Sequence, residues 1–169
     1  MGVYDFARFR DFLAALITKE VSFGAGGIRI YSASEIENAQ VGYSVTPQGR
    51  SLCGNGKGKW RSAWTVIGEE IGLGDPIFVD TVDPNLAVFT AIHGEGDWNP
   101  NRIAVSIDAF TNILREFASI AAGRSNPAAA EDNPTSEEEK QAFLLRVAEI
   151  NGEKSAAAFW EDLFGYVMD

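Results

Sequence analysis

The chain has 169 residues, is 46% hydrophobic and carries a formal net charge of −10. That size can bury one sizeable core and a small appendage, which excludes a long multidomain enzyme. The acidic balance argues against direct nucleic-acid binding, which needs clustered Lys and Arg, and suits a basic protein partner.

Residues 4–18 place Phe6, Phe9, Phe12, Leu13, Leu16 and Ile17 at three- and four-residue intervals, which predicts an amphipathic helix. Its apolar run, Phe12 to Ile17, is far shorter than the roughly 18 to 20 residues of a membrane span. Arg8, Arg10 and Asp11 make it a poor signal core, and Phe6 stands where a myristoylated Gly2 would want Ser or Thr. A soluble, cytoplasmic protein without membrane attachment is expected. The cluster Gly24-Ala25-Gly26-Gly27 ends the helix, and Ile28 to Tyr31 alternates as a half-buried strand does. Ser32 with Glu35 three residues on predicts a capped helical turn.

Val41, Tyr43 and Val45 alternate as in a strand, followed by turn residues Pro47 and Gly49. The stretch Gly49 to Lys59 has glycines and lysines but not phosphate-loop spacing, because Gly58 follows Lys57 where a hydroxyl is required. Arg50, Lys57, Lys59 and Arg61 nevertheless form a basic patch in an acidic chain, read as a solvated turn. A strand is predicted over residues 60–67. Ile77 to Val79 and Leu86 to Ile92, separated by Asp83-Pro84-Asn85, predict a hairpin that opens into the loop His93-Gly94-Glu95-Gly96-Asp97-Trp98.

Ser106 caps a predicted helix with Ile107, Phe110, Ile113, Leu114, Phe117 and Ile120 on one face, ended by Gly123. Residues 123–135, with two prolines and an alanine run, read as a linker. Ser136 to Glu139 has capping-box spacing, and Asn151-Gly152 divides that helix from one bearing Phe159, Trp160, Leu163, Phe164 and Val167. Residues 131–169 hold ten acidic and three basic side chains, so most of the negative excess lies there. The division expected is a domain over 1–122, a linker over 123–135 and an acidic helical appendage over 136–169. Helix, adjacent short strands, then helix is an α+β order with an antiparallel sheet, helices against it and a C-terminal helical hairpin.

Cys53 is the only cysteine and His93 the only histidine, so neither a disulfide nor a Cys/His metal cluster can form within one chain. No metal or other cofactor is expected. A general-base reading has His93 oriented by Glu95 or Asp97, but no local pattern fixes a nucleophile. The carboxylates Glu69, Glu70, Asp75, Asp80, Asp83, Glu95 and Asp97 lack calcium-loop spacing. They are read as structural: Asp75 precedes Pro76 to set a turn, and Asp80 caps or hydrogen-bonds the connection beginning at Thr81. Trp98 either covers the sheet end or anchors a partner.

The series Gly26-Gly27-Ile28-Arg29-Ile30-Tyr31-Ser32, Val66-Ile67-Gly68-Glu69, Gly74-Asp75-Pro76-Ile77-Phe78-Val79-Asp80, His93 to Trp98 and Ser106 to Phe110 resembles the SUKH superfamily. That group includes yeast cell-wall assembly regulators and bacterial immunity proteins, and the resemblance covers about residues 23–120. It implies a curved, mainly antiparallel sheet with flanking helices and no catalysis. It also implies a protein that binds and neutralises a cognate toxin, often a nuclease. On this reading Gly74, Asp75, Pro76, Asp80, His93 and Gly94 are structural motif residues, and Glu69, Glu70, Glu95, Asp97 and Trp98 form the candidate partner-binding edge. The alternatives are a regulatory or scaffolding adaptor, and a small hydrolase or ligand-binding domain using His93.

Overall fold

Alternation along the strands divides their buried apolar side chains between two cores. In this computed structural model, residues 20–152 and 156–166 are described; the helix predicted over 4–18 lies outside them. Six strands pair in sequence order as an antiparallel meander: β1 (Glu20–Phe23), β2 (Gly26–Ile30), β3 (Trp64–Glu70), β4 (Pro76–Asp80), β5 (Val88–Thr90) and β6 (Asn101–Ala104). The sheet curls into a half-barrel, and helices flank it, so the fold is α+β. The helices are α1 (Ile36–Ala39), α2 (Ile107–Ala121), α3 (Pro127–Asp132), α4 (Glu137–Asn151) and α5 (Ala157–Asp162), followed by a 3-10 turn at Leu163–Tyr166.

Val21, Phe23, Ile28, Ile30, Ile77, Val79 and Val88 point to one face, where they meet Phe110, Ile113 and Phe117 of α2. Phe143, Val147, Phe159, Trp160 and Leu163 belong to the same cluster, so the C-terminal helices complete the main core. The opposite face carries Trp64, Val66 and Phe78, which join Trp60 and Ala91 in a second cluster. The two-residue period of a strand produces this division. In β3 the pairing slips between Val66 and Gly68, and this bulge turns Ile67 toward the helices. Gly68 is required there: a Cβ would collide with the Arg29 carbonyl oxygen of β2.

Several expected elements differ. Val41 and Val45 make only isolated bridges. The Gln40 side chain takes the place of a strand there, accepting from the Val66 N–H and donating to the Val66 carbonyl. The strand expected from residue 60 begins at Trp64, because Trp60 turns back to donate its indole N–H to the Trp64 carbonyl. The second hairpin strand shortens to Val88–Thr90, since Leu86 has φ 53°, a left-handed backbone that no strand residue adopts. Strands β1 and β6 carried no sequence signal strong enough to be expected.

Residues 123–135 hold the short helix α3, capped by Asn126 with Pro127 in its first turn, and a buried Arg124. The Ser106 cap, the Ser136–Glu139 capping box and the left-handed Gly152 stop occur as expected. α4 and α5 also cover the edge strand. The Asn151 side chain accepts from the Val105 N–H, and the Trp160 indole N–H donates to the Ile103 carbonyl at 3.0 Å.

Candidate functional site

Gly74, Asp75, Pro76, His93 and Gly94 meet at one end of the sheet, where the β3–β4 turn, the exit of β5 and α5 come together, whereas Asp80 lies at the other end of β4 opposite Trp64. Glu70 is 3% exposed and its carboxylate accepts from the Gly72 and Leu73 N–H groups. It therefore holds the turn and is not part of an exposed edge. Asp75 is also buried, and a single oxygen of it, Oδ1, meets both the His93 N–H at 3.0 Å and His93 Nδ1 at 2.6 Å. An ionised carboxylate only accepts, so this contact assigns the ring proton to Nδ1. The partner of His93 is Asp75, eighteen residues earlier, and not Glu95 or Asp97, the orienting groups of the general-base reading. Asp80 accepts from the Val82 N–H, as its turn position requires.

Asp97 serves a different connection. Its Oδ1 accepts from the Trp98 N–H and from the Gly58 N–H, thirty-nine residues away. These two N–H groups hold its carboxyl below the usual aspartate range. The loops approach so closely that a Cβ on Gly58, at φ +73°, would lie 2.9 Å from the Gly96 carbonyl oxygen. Trp98 packs edge-on to Trp60, with ring centroids 5.0 Å apart, and lies 5.5 Å from Tyr43. These contacts pack the half-buried indole over the sheet end.

Glu69 is separate from these residues. It lies 3.6 Å from Arg29, which also bonds Glu35, and burial together with a hydrogen bond to Glu69 pushes the Tyr31 phenol up. The five residues expected on one recognition edge thus occupy four environments, and of the five Glu95 alone is exposed. Gly74 and Gly94, both at positive φ, shape the turns around it.

Glu95 lies on a cleft that the motifs did not reveal. The cleft has a volume of about 230 Å³ and runs between the sheet end and α5. Leu73 and Ile92 stand at it, 59% and 57% exposed, with Phe159 and Leu163 on the α5 side. Asp162, Asn99 and Asn101 supply further polar groups. Asp162 lies sixty-seven residues from Glu95 and no local spacing links them. On the other side of the Trp98 loop, Lys57, Lys59 and Arg61 line a shallower, more polar concavity with Trp64, and the Arg61 guanidinium lies 5.0 Å from the Trp64 ring centroid. Among the described residues, no group of three or more His, Cys, Asp or Glu side chains is placed to hold a metal ion, and no helix is long and apolar enough to cross a membrane.

No protein-family model, curated protein or solved structure matches this chain.

The Asp97 clasp makes a pH prediction. A carboxyl held below its ordinary pKa stabilises the fold fully above the unfolded value of roughly 3.9, and that contribution is lost as pH falls through the lowered folded value. Asp97→Asn should therefore melt below the parent chain at pH 7, and the gap should narrow in thermal scans taken at progressively lower pH. A gap independent of pH would assign the effect to packing.

Proposed function

We propose that the chain is a non-enzymatic binding protein that neutralises a basic protein partner, in the manner of a bacterial immunity protein acting on a cognate toxin in the cytoplasm. The observation that carries this reading is the exposed pair Leu73 and Ile92 beside a cleft bearing Glu95 and Asp162. Apolar contacts flanked by charge are the composition of a specific interface, and the charge speeds encounter with a partner of opposite sign. The resemblance to the SUKH superfamily and the net charge of −10 support the same reading. A nuclease fits the partner's role, because its nucleic-acid face is basic and an acidic protein seated there excludes substrate.

The test is co-expression of the full chain with the product of the adjacent gene, followed by co-purification and a growth-protection assay. A retained partner with protection is expected, together with loss of both in Leu73→Asp/Ile92→Asp. Failure of the adjacent product to bind, with its toxicity unrelieved, would overturn the reading. Equal retention by the double variant would move the interface to another face.

A second reading rests on one contact. Asp75 on Nδ1 leaves His93 Nε2 available to take a proton, and the His93 side chain is 53% exposed. If a hydrolytic activity is found, His93→Ala should abolish it; unchanged turnover would leave this pair a loop tie.

A further inference from the structure

We infer that the cleft between the β3–β4 turn and α5 is a socket for one arginine side chain of the partner. This rests on the reading above that the partner is a basic protein. The pleat of β5 places the Thr90 side chain on the same face as Val88, toward the helices, and Thr90 lines the cleft while only 8% exposed. Its hydroxyl is buried and has no hydrogen-bond partner, which among the described residues is shared only with Thr135. A buried hydroxyl left unpaired costs free energy that a ligand donor can recover.

The walls define the donor. Glu95 comes from the loop and Asp162 from the end of α5, and neither forms an ion pair with another described residue. Two carboxylates on separate elements call for a cation with several donors. Leu73, Ile92 and Phe159 line the same cleft, so the occupant must also carry an apolar stem. An arginine has both: its methylenes run along apolar walls while a planar fork of N–H groups reaches more than one acceptor. A lysine ammonium is a compact, strongly hydrated point charge and matches this lining less well. At about 230 Å³ the space is smaller than the roughly 300 to 1,000 Å³ of a drug-sized ligand site, which favours a single side chain.

The experiment titrates the full chain with three short peptides identical except for one central residue, arginine, lysine or citrulline, and follows backbone amide shifts by NMR. The arginine peptide should move Thr90, Ile92 and Leu73. Citrulline keeps the shape without the charge and should bind about tenfold more weakly, as should arginine binding to Glu95→Gln/Asp162→Asn. Thr90→Val should weaken the arginine peptide by a few-fold while leaving the spectrum folded. Equal binding of arginine and citrulline, shifts confined to another face, or no effect of the double variant would each overturn the socket. The two proposals fail separately. A co-purified partner that tolerates Glu95→Gln/Asp162→Asn, with a silent arginine peptide, removes the socket and keeps the binding function. A peptide that binds here while no basic partner is retained does the reverse.

Discussion

Replacing Trp160 by alanine is expected to cost about 3 to 5 kcal/mol of stability, the range for truncating a large buried aromatic. Trp160 has no exposed surface, and its ring lies within 6.1 Å of the rings of Phe110, Phe117, Phe143 and Phe159. Removing the indole leaves a cavity among these rings and takes a donor from the Ile103 carbonyl of the edge strand. Against a typical total of roughly 5 to 15 kcal/mol, that loss is decisive for whether the chain remains folded when warm. Urea denaturation followed by circular dichroism measures it. Trp160→Phe retains most of the volume and should lose about 1 kcal/mol more than packing alone requires, the net value of the hydrogen bond. The same residues predict the outcome of ending the chain at Gly123: Ile103, Phe110 and Phe117 lose their cover and cooperative unfolding should disappear. A sharp transition in the shortened chain would show that residues 1–123 hold a core of their own.

The features legible in the sequence are those set within a few residues. Ser106 lies three residues from the N–H that it accepts, Ser136 and Glu139 satisfy each other, and Gly152 supplies the left-handed stop. The alternating strands and the acidic turn residues gave the α+β class and the central hairpin for the same reason. The site was less legible because its contacts join distant segments. Nothing near Asp75 names His93 as its partner, and nothing near Asp97 names Gly58. Glu70 read as a surface carboxylate because charged residues are usually exposed, yet the turn N–H groups of Gly72 and Leu73 offset its burial. The cleft depends on where α5 lies against the sheet. That placement follows from Trp160 and Asn151 reaching the edge strand, and not from any spacing around Glu95.

Arg124→Ala is expected to cost roughly 3 kcal/mol, because a buried guanidinium that satisfies several acceptors leaves them unpaired when it is removed. Arg124 is 6% exposed. It donates to the Ile120 carbonyl at 2.6 Å, to the Asn133 carbonyl at 2.7 Å and to both Glu139 oxygens at 3.2 Å. One side chain thus joins the end of α2, the end of α3 and the start of α4. Its own carbonyl accepts from the Gly24 N–H, which fastens the β1–β2 turn to the same point. Lysine should not rescue the loss, since a single ammonium cannot bridge acceptors in the directions that a planar fork does. Glu139→Gln should cost less than Arg124→Ala, because Glu139 is half-exposed and water replaces part of its pairing. Hydrogen exchange distinguishes this role from simple packing. The Gly24 amide and the amides of residues 137–151 should lose protection together in Arg124→Ala, whereas a purely local defect would affect only residues 120–133. Since α4 carries α5 and α5 forms one wall of the cleft, the same variant should weaken the arginine peptide without any change to Glu95, Thr90 or Asp162.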